Sequence, residues 1–364
     1  MLARPPWTAR YKSNWNDAFA RMMAWWAGDG LDRPVLIPYL RKDGAPKFTP
    51  ACDPGTQADR DLSEEYRLAA DRYFLEWRHF HAETAPYAGT AYGSSLCTLA
   101  AMAGVRVHYT PDTGTAWIQE EPDLYSRDLP EFHEDSPPYA FAVRMIRRHA
   151  ETFGYDCILG ADVMLDPLTT LSMMRGAGNL CMDLVERPDM VRRWADRLGE
   201  MFLRIAAGYR VARALQGRRE HYNWTGIWAP GDLEALQCDF SAMLSPEMFR
   251  AFAMPHLERQ AAFYDYALWH LDGPDEIRHL EDICSVPRLR AIQWVDTRRQ
   301  GPKAYVDLFR KVLKLDRSVI FGVRSADEAL DMARLLGKDR VAMALAFGTS
   351  PAEVETLERK LKAL

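Results

Sequence analysis

The chain has 364 residues, 48% hydrophobic and 27% charged, with a formal net charge of −5. That length admits two domains or one large α/β barrel, and the mild acidity gives no electrostatic case for nucleic acid or an anionic membrane. No apolar run approaches the roughly 18 residues of a membrane span, and the opening MLARPPWTARYKSNW lacks the apolar centre of a secretory signal.

In chain order, WNDAFARMMAWWAG reads as a helix and RPVLIPYL (33–40) as a first strand. Residues 58–83 read as one long helix, followed by a weak strand near 86–92. Residues 105–120 alternate like a small hairpin. The acidic, Pro-rich stretch 123–139 reads as a surface loop. YDCILGADVML (155–165) is a further strand, and residues 190–215 form a long amphipathic helix after Pro188 and Asp189. HYNWTGIW (221–228) reads as a strand and residues 245–264 as its helix.

The last hundred residues are the most regular. YALWHLD, LRAIQWV, RSVIFGV and RVAMALAF are strand-like, and each is followed by a helical stretch. The strand ends at 272, 295, 323 and 347 lie 23, 28 and 24 residues apart. That spacing makes parallel βα units, and near-continuous apolar runs suit strands buried on both faces. Ser325 and Ser350 are helix caps, Gly337 closes a helix, and Pro351 fits a first helical position. Val354, Leu357, Leu361 and Leu364 share one face of the last helix. Counting the weak strand gives eight βα units. The expected fold is therefore one (β/α)8 TIM barrel over residues 1–364, with a helical extension at 1–32 and an insertion at 100–140.

In such a barrel, reactive groups sit where the strands end. His270 and Asp272 end one of the clearest strands. A His-x-Asp pair on extended backbone points to one side, with Cα atoms about 7 Å apart. The pair can share a divalent ion such as Zn²⁺, or act as base and orienter without one. Hydrogen bonding to a capping aspartate is the plainer alternative. Asp162, Asp239, Gln293, Trp294, Asp296 and Arg324 also fall at strand ends, each with a capping or salt-bridge alternative. Trp228, Trp269 and Trp294 are candidates for covering a flat ligand or for packing. Gly348, Thr349 and Ser350 offer backbone N–H groups for an anion or a cap. His79 and His81 fall in a helix-like run, on different faces. Six cysteines, at 52, 97, 157, 181, 238 and 284, include no CxxC, so reduced thiols and a cytoplasmic setting are expected. GxGxxG after a strand, a P-loop, GxSxG and HExxH are all absent.

The stretches QCDFSAMLSPEMFRAFAMPHL, LTTLSMMRGAGNLCMDLVERPDMVRRW, HLDGPDEIRHLEDI and FGTSPAEVE resemble the uroporphyrinogen decarboxylase superfamily over roughly residues 85–364. That resemblance implies a single (β/α)8 barrel. It also implies one of two chemistries: porphyrinogen decarboxylation, or methyl transfer with corrinoid proteins. The family's decarboxylases carry an arginine-rich loop after the first strand and an aspartate after the second. Here the loop has only Arg41 and Lys42, APYAGTAYG has no aspartate, and Met173 falls at or near the family's tyrosine. The family's methyltransferases bind zinc through His-x-Cys and a later cysteine. Here His270 matches, Asp272 replaces the first cysteine, and the later position lies near Ala346 and Phe347.

The resulting expectation is a methyltransferase-like member that moves a methyl group between a small metabolite and a corrinoid protein. His270, Asp272, Asp239 and Asp296 would do the chemistry. Trp228, Gln293, Trp294, Arg324 and Asp162 would line the substrate. His270 and Asp272 would hold any divalent metal. A homodimer is the expected assembly. A decarboxylase of a porphyrinogen or another carboxylate is the alternative, and a non-catalytic tetrapyrrole- or corrinoid-partner-binding protein is a third.

Overall fold

The computed structural model describes residues 6–89, 97–109, 116–214 and 217–364. The chain opens with α1 (Trp15–Ala27), whose Trp15, Ala18, Met22, Trp25 and Trp26 are buried at helical spacing. It continues through β1 (Val35–Pro38), β2 (Leu40–Arg41), α2 (Gln57–Leu62) and α3 (Glu64–Glu76). The single helix expected over 58–83 is thus two helices. Ser63 breaks it, because its side chain accepts from the Tyr66 N–H and starts α3 afresh. His79 lies on β3 (Arg78–His79), antiparallel to β2, and not on a helix. The weak strand is β4 (Tyr87–Ala88), and residues 90–92 of that expectation lie outside the described residues.

After α4 (Thr98–Met102), β5 (Val107–Tyr109) and β6 (Ala116–Ile118) pair antiparallel as expected, with the turn outside the described residues. The helix α5 (Pro137–Phe153) was not expected. It follows the acidic loop and buries Ala142, Met145, Ile146, His149 and Phe153. β7 (Ile158–Leu159) is short. Next come α6 (Pro167–Arg175), α7 (Ala177–Glu186) and the long α8 (Pro188–Ala214).

Residues 221–228 are not one strand. They fold back as β8 (His221–Tyr222) and β9 (Trp228–Ala229), an antiparallel hairpin. The Asn223 side chain accepts from the Thr225 N–H, and Gly226 takes φ +89°. The strand of this unit is β10 (Leu233–Leu236), followed by α9 (Pro246–Met248), a π-helical turn and α10 (Met254–Phe263). The remaining units alternate as expected: β11 (Tyr266–Leu271), α11 (Leu280–Ser285), β12 (Leu289–Trp294), α12 (Val306–Lys314), β13 (Ser318–Val323), α13 (Ala326–Leu336), β14 (Val341–Leu345) and α14 (Pro351–Lys362). Val354, Leu357 and Leu361 are buried, but Leu364 is exposed, because it lies beyond the last helical turn.

The centre is a six-stranded parallel sheet, ordered β1-β14-β13-β12-β11-β10, and β4 and β7 form a separate parallel pair. A continuous eight-strand ladder is therefore not present among the described residues. Alternation splits the strands into two faces. Leu36, Leu236, Trp269, Leu271, Val319, Phe321 and Met343 pack in the cluster that includes the helices. Val35, Ile158, Leu233, Ala235, Leu268, Ala291, Ile320 and Ala342 share a second cluster with Ile227 and Trp228 of the hairpin. The Trp228 indole packs there against Trp7, Trp15 and Phe19.

Isolated hydrogen bonds, most of them to side chains, join the two sheets in place of a ladder. The Leu36 N–H donates to Glu83 Oε2 (2.9 Å), the Glu83 N–H to the Leu36 carbonyl (3.2 Å), and the Thr84 hydroxyl to the Pro38 carbonyl (3.0 Å). On the other side, the His221 ring lies 3.1 Å from both the Ala161 and Leu233 amides, and a neutral ring accepts from one of them. The Val163 N–H donates to Glu234 Oε2 (3.0 Å).

Candidate active site at the ends of the parallel strands

On β11, Trp269 and Leu271 face the helices, so His270 between them faces the same way as Leu268. The register pairs His270 with Gln293 of β12. Their side chains meet directly, His270 Nδ1 against Gln293 Oε1. The amide oxygen accepts, so Nδ1 carries a proton, and in the neutral ring the lone pair then lies on Nε2. The Trp224 ring meets the His270 ring edge-on, at a centroid distance of 4.8 Å and 69°. The hairpin turn thereby reaches the strand end that carries His270. After β11 the chain must turn sharply at Gly273 (φ +99°), where a Cβ would sit 2.6 Å from Thr297 Oγ1.

Asp239 opens the 3₁₀ turn after β10, the neighbour of β11. Its side chain is accessible, yet so closely surrounded that burial pushes its carboxyl above the ordinary value. Asp239 is thus a surface carboxyl close to His270 and Asp272. His270 pulls the carboxyl down and Asp272 pushes it up, so the three interact electrostatically. The Asp272 side chain is exposed, and its backbone N–H donates to Glu276 Oε2 (3.2 Å). Glu276 is buried, and burial first, aided by Asp239 and Asp272, raises its carboxyl to about 8. Asp166 caps α6 by accepting from the Leu168 (2.7 Å) and Thr169 (3.1 Å) amides. Burial lifts it to about 6 against those bonds, and Asp239 adds to the rise. Glu276 and Asp166 were not among the expected site residues.

The other expected residues divide. Gln293 orients His270. Asp162 is buried and accepts from Asn223 Nδ2 (2.8 Å) and the Trp224 N–H (3.1 Å), so it fixes the hairpin turn beneath His270. Burial, then Glu234, raises its carboxyl. Trp228 is fully buried and donates to the Glu83 carbonyl (2.7 Å), and Trp294 packs outward on Tyr305 (4.6 Å). Neither joins the His270 group, because each faces a packed core. Trp269 packs likewise on Phe249. Asp296 accepts from the Gly301 N–H (2.7 Å) and Arg324 Nη2 (3.1 Å), which ties a loop. Burial works against its charge, but these partners and the Gln300 amide hold the carboxyl low. At the last helix, the Ser350 N–H donates to Glu353 in a capping box, which is the capping alternative.

Among the described residues, no group of three or more His, Cys, Asp or Glu side chains is placed to hold a metal ion. His270 and Asp272 find no third ligand there. Cys238, the nearest thiol in sequence to Asp239, is buried and pushed well up by that burial. Among the described residues no helix is long and apolar enough to cross a membrane. No family model matches the chain, and no curated protein matches it.

Proposed function

We propose that the chain is a (β/α)8-barrel enzyme of the uroporphyrinogen decarboxylase superfamily type, running acid–base chemistry on a small metabolite at the group around His270. Closure is supported by the inward cluster shared by β1, β7, β10, β11, β12, β13 and β14, and by side-chain bonds across both seams. The observation that carries the chemistry is an accessible carboxyl, Asp239, held above its ordinary value beside an imidazole whose Nδ1 is fixed by Gln293. Asp239 is the acid, and His270 Nε2 is the acceptor that holds the substrate and takes its proton where the substrate carries an acidic one. Gln293 and Glu276 position them.

The reaction is methyl transfer from a small methylated metabolite to a corrinoid protein. The bond from methyl carbon to heteroatom breaks, the heteroatom keeps the electron pair, and Asp239 supplies its proton. The methyl leaves without that pair and goes to the partner's reduced corrinoid, which would supply the two electrons of the new bond. Decarboxylation is the second reading, favoured by Glu276, a buried carboxyl that holds its proton at neutral pH. There the bond to the carboxylate carbon breaks, carbon dioxide leaves, and the remaining carbon takes the proton from Asp239.

One experiment tests both. Purified protein is incubated with cob(I)alamin and a panel of methylated amines, ethers and thioethers, following methylcobalamin absorbance. In parallel, carboxyl-labelled organic acids are screened for released carbon dioxide. We expect turnover in the first arm, a drop of about 10²–10⁴-fold in His270→Ala and Asp239→Asn, and no label released. Label release that depends on Asp239 selects the second reading. Turnover indifferent to both substitutions refutes the site.

A further inference from the structure

A cavity of about 360 Å³ opens between the segment after β1, β3 and α3, and none of the residues around His270 lines it. Its walls include Tyr39, Arg41, Lys47, Phe48, Trp77 and Arg78, with no Asp or Glu among its lining residues. Arg78 is the unusual member. It is 7% exposed, and among the described residues no carboxylate pairs with it. Its Nη2 is buried without a hydrogen-bond partner. Burial lowers its pKa to about 10, so it stays charged at neutral pH. A buried cation with no counter-ion is costly, and an entering anion removes that cost.

The company it keeps is aromatic. The guanidinium carbon lies 2.9 Å from the Tyr39 ring centroid and 4.1 Å from that of Phe74. Stacking occupies the guanidinium faces and fixes its plane, the Tyr87 side chain hydrogen-bonds to it, and the unpartnered Nη2 edge is left for an acceptor. Tyr39 is 68% exposed and forms the outer wall of the cavity. Arg41 adds a second cation. Its Nη2 is held by the Tyr73 hydroxyl (2.8 Å) and the Pro46 carbonyl (3.2 Å), with no acid in the contact.

We propose that this cavity binds a small aromatic carboxylate, with Arg78 as its ion-pair partner and Tyr39, Phe48 and Trp77 as its stacking surfaces. The charged Nη2 edge selects an anion, and the ring walls select a flat apolar body. The site is separate from the His270 group and stands or falls without it.

Titration calorimetry on the full chain tests this with three probes: benzoate, acetate (charge without ring) and benzamide (ring without charge). Benzoate binds, and the other two bind at least tenfold more weakly. Arg78→Met, which fills the aromatic stack without charge, loses tenfold or more. Arg78→Lys, which keeps the charge and removes the Nη2 edge, also weakens binding. Tyr39→Ala, a surface change that leaves the core intact, lowers affinity with unchanged circular dichroism. His270→Ala binds benzoate as the wild type does. The proposal is overturned if wild type fails to bind benzoate at about 10 mM, if benzamide binds equally, or if Arg78→Lys and Tyr39→Ala both keep full affinity. Loss of benzoate binding in His270→Ala would place the ligand at the His270 group and overturn it too.

Discussion

His270 and Glu276 illustrate how position along one short segment sets opposite tasks. His270 ends a strand, so pleating aims it away from the helices and register delivers Gln293 to its Nδ1. Glu276 lies one turn later and is drawn inward to receive the Asp272 N–H, where burial raises its carboxyl from 4.5 to about 8. The stability consequence follows from linkage. A carboxyl raised on folding binds its proton more tightly in the folded chain. Its contribution is complete below about pH 4.5 and is lost as pH climbs through about 8. Within that window stability falls with a slope approaching 1.4 kcal/mol per pH unit from this one group. Glu276→Gln keeps an acceptor for Asp272 and cannot ionise. Urea unfolding at intervals from pH 5 to 8 should show a shallower loss in the variant. Parallel curves would mean that Glu276 is ionised in the folded protein.

At the scale of elements, the β8–β9 hairpin connects fold to site. Trp228 anchors it: its Nε1 donates to Glu83, and Trp26 donates to its carbonyl (3.1 Å). Trp224, four residues earlier, touches His270. Trp228→Ala should cost about 3–5 kcal/mol of stability through the cavity it leaves. Substrate KM should stay near wild type. A KM defect without lost stability would restore the ligand contact first expected of Trp228. The hairpin also marks where sequence reading stops. β11 to β14 were legible because each is a continuous apolar run between capped helices. β4, β7, β8 and β9 have two residues each, too few to display a period. β10 was hidden by Glu234, a carboxyl inside an apolar run that makes sense only beside the Val163 amide. In HYNWTGIW, the Asn223 to Gly226 turn was the available signal for a hairpin. His270 was readable from strand alternation. Glu276 and Asp166 were not, because their perturbed acidity comes from burial by residues distant in sequence.

Across the whole molecule, the six-stranded sheet and the β4–β7 pair depend on ionisable side chains for their union. At one seam, Glu83 accepts from the Leu36 amide, from Arg33 Nη1 (2.8 Å) and Nη2 (2.9 Å), and from Arg21 (3.3 Å). Arg33 and Glu83 are both fully buried, and Glu358 of α14 also contacts Arg33. The seam therefore links β1, the segment before β4, α1 and the last helix. Glu83→Gln keeps an oxygen for Leu36 but leaves the buried Arg33 short of its main counter-charge, a loss of about 3–5 kcal/mol. Arg33→Met with Glu83→Leu removes both charges and should destabilise less than Glu83→Gln alone. The local signature is hydrogen exchange. Leu36 and its neighbours in β1 should lose protection in Glu83→Gln before Leu268 to Leu271 in the middle of the sheet do. If exchange quickens equally in β1 and β11, the seam is not a separate unit, and Glu83 supports the core as a whole. If β1 keeps full protection while stability falls, Glu83 acts through Arg33 and α14, and some other contact holds the two sheets together.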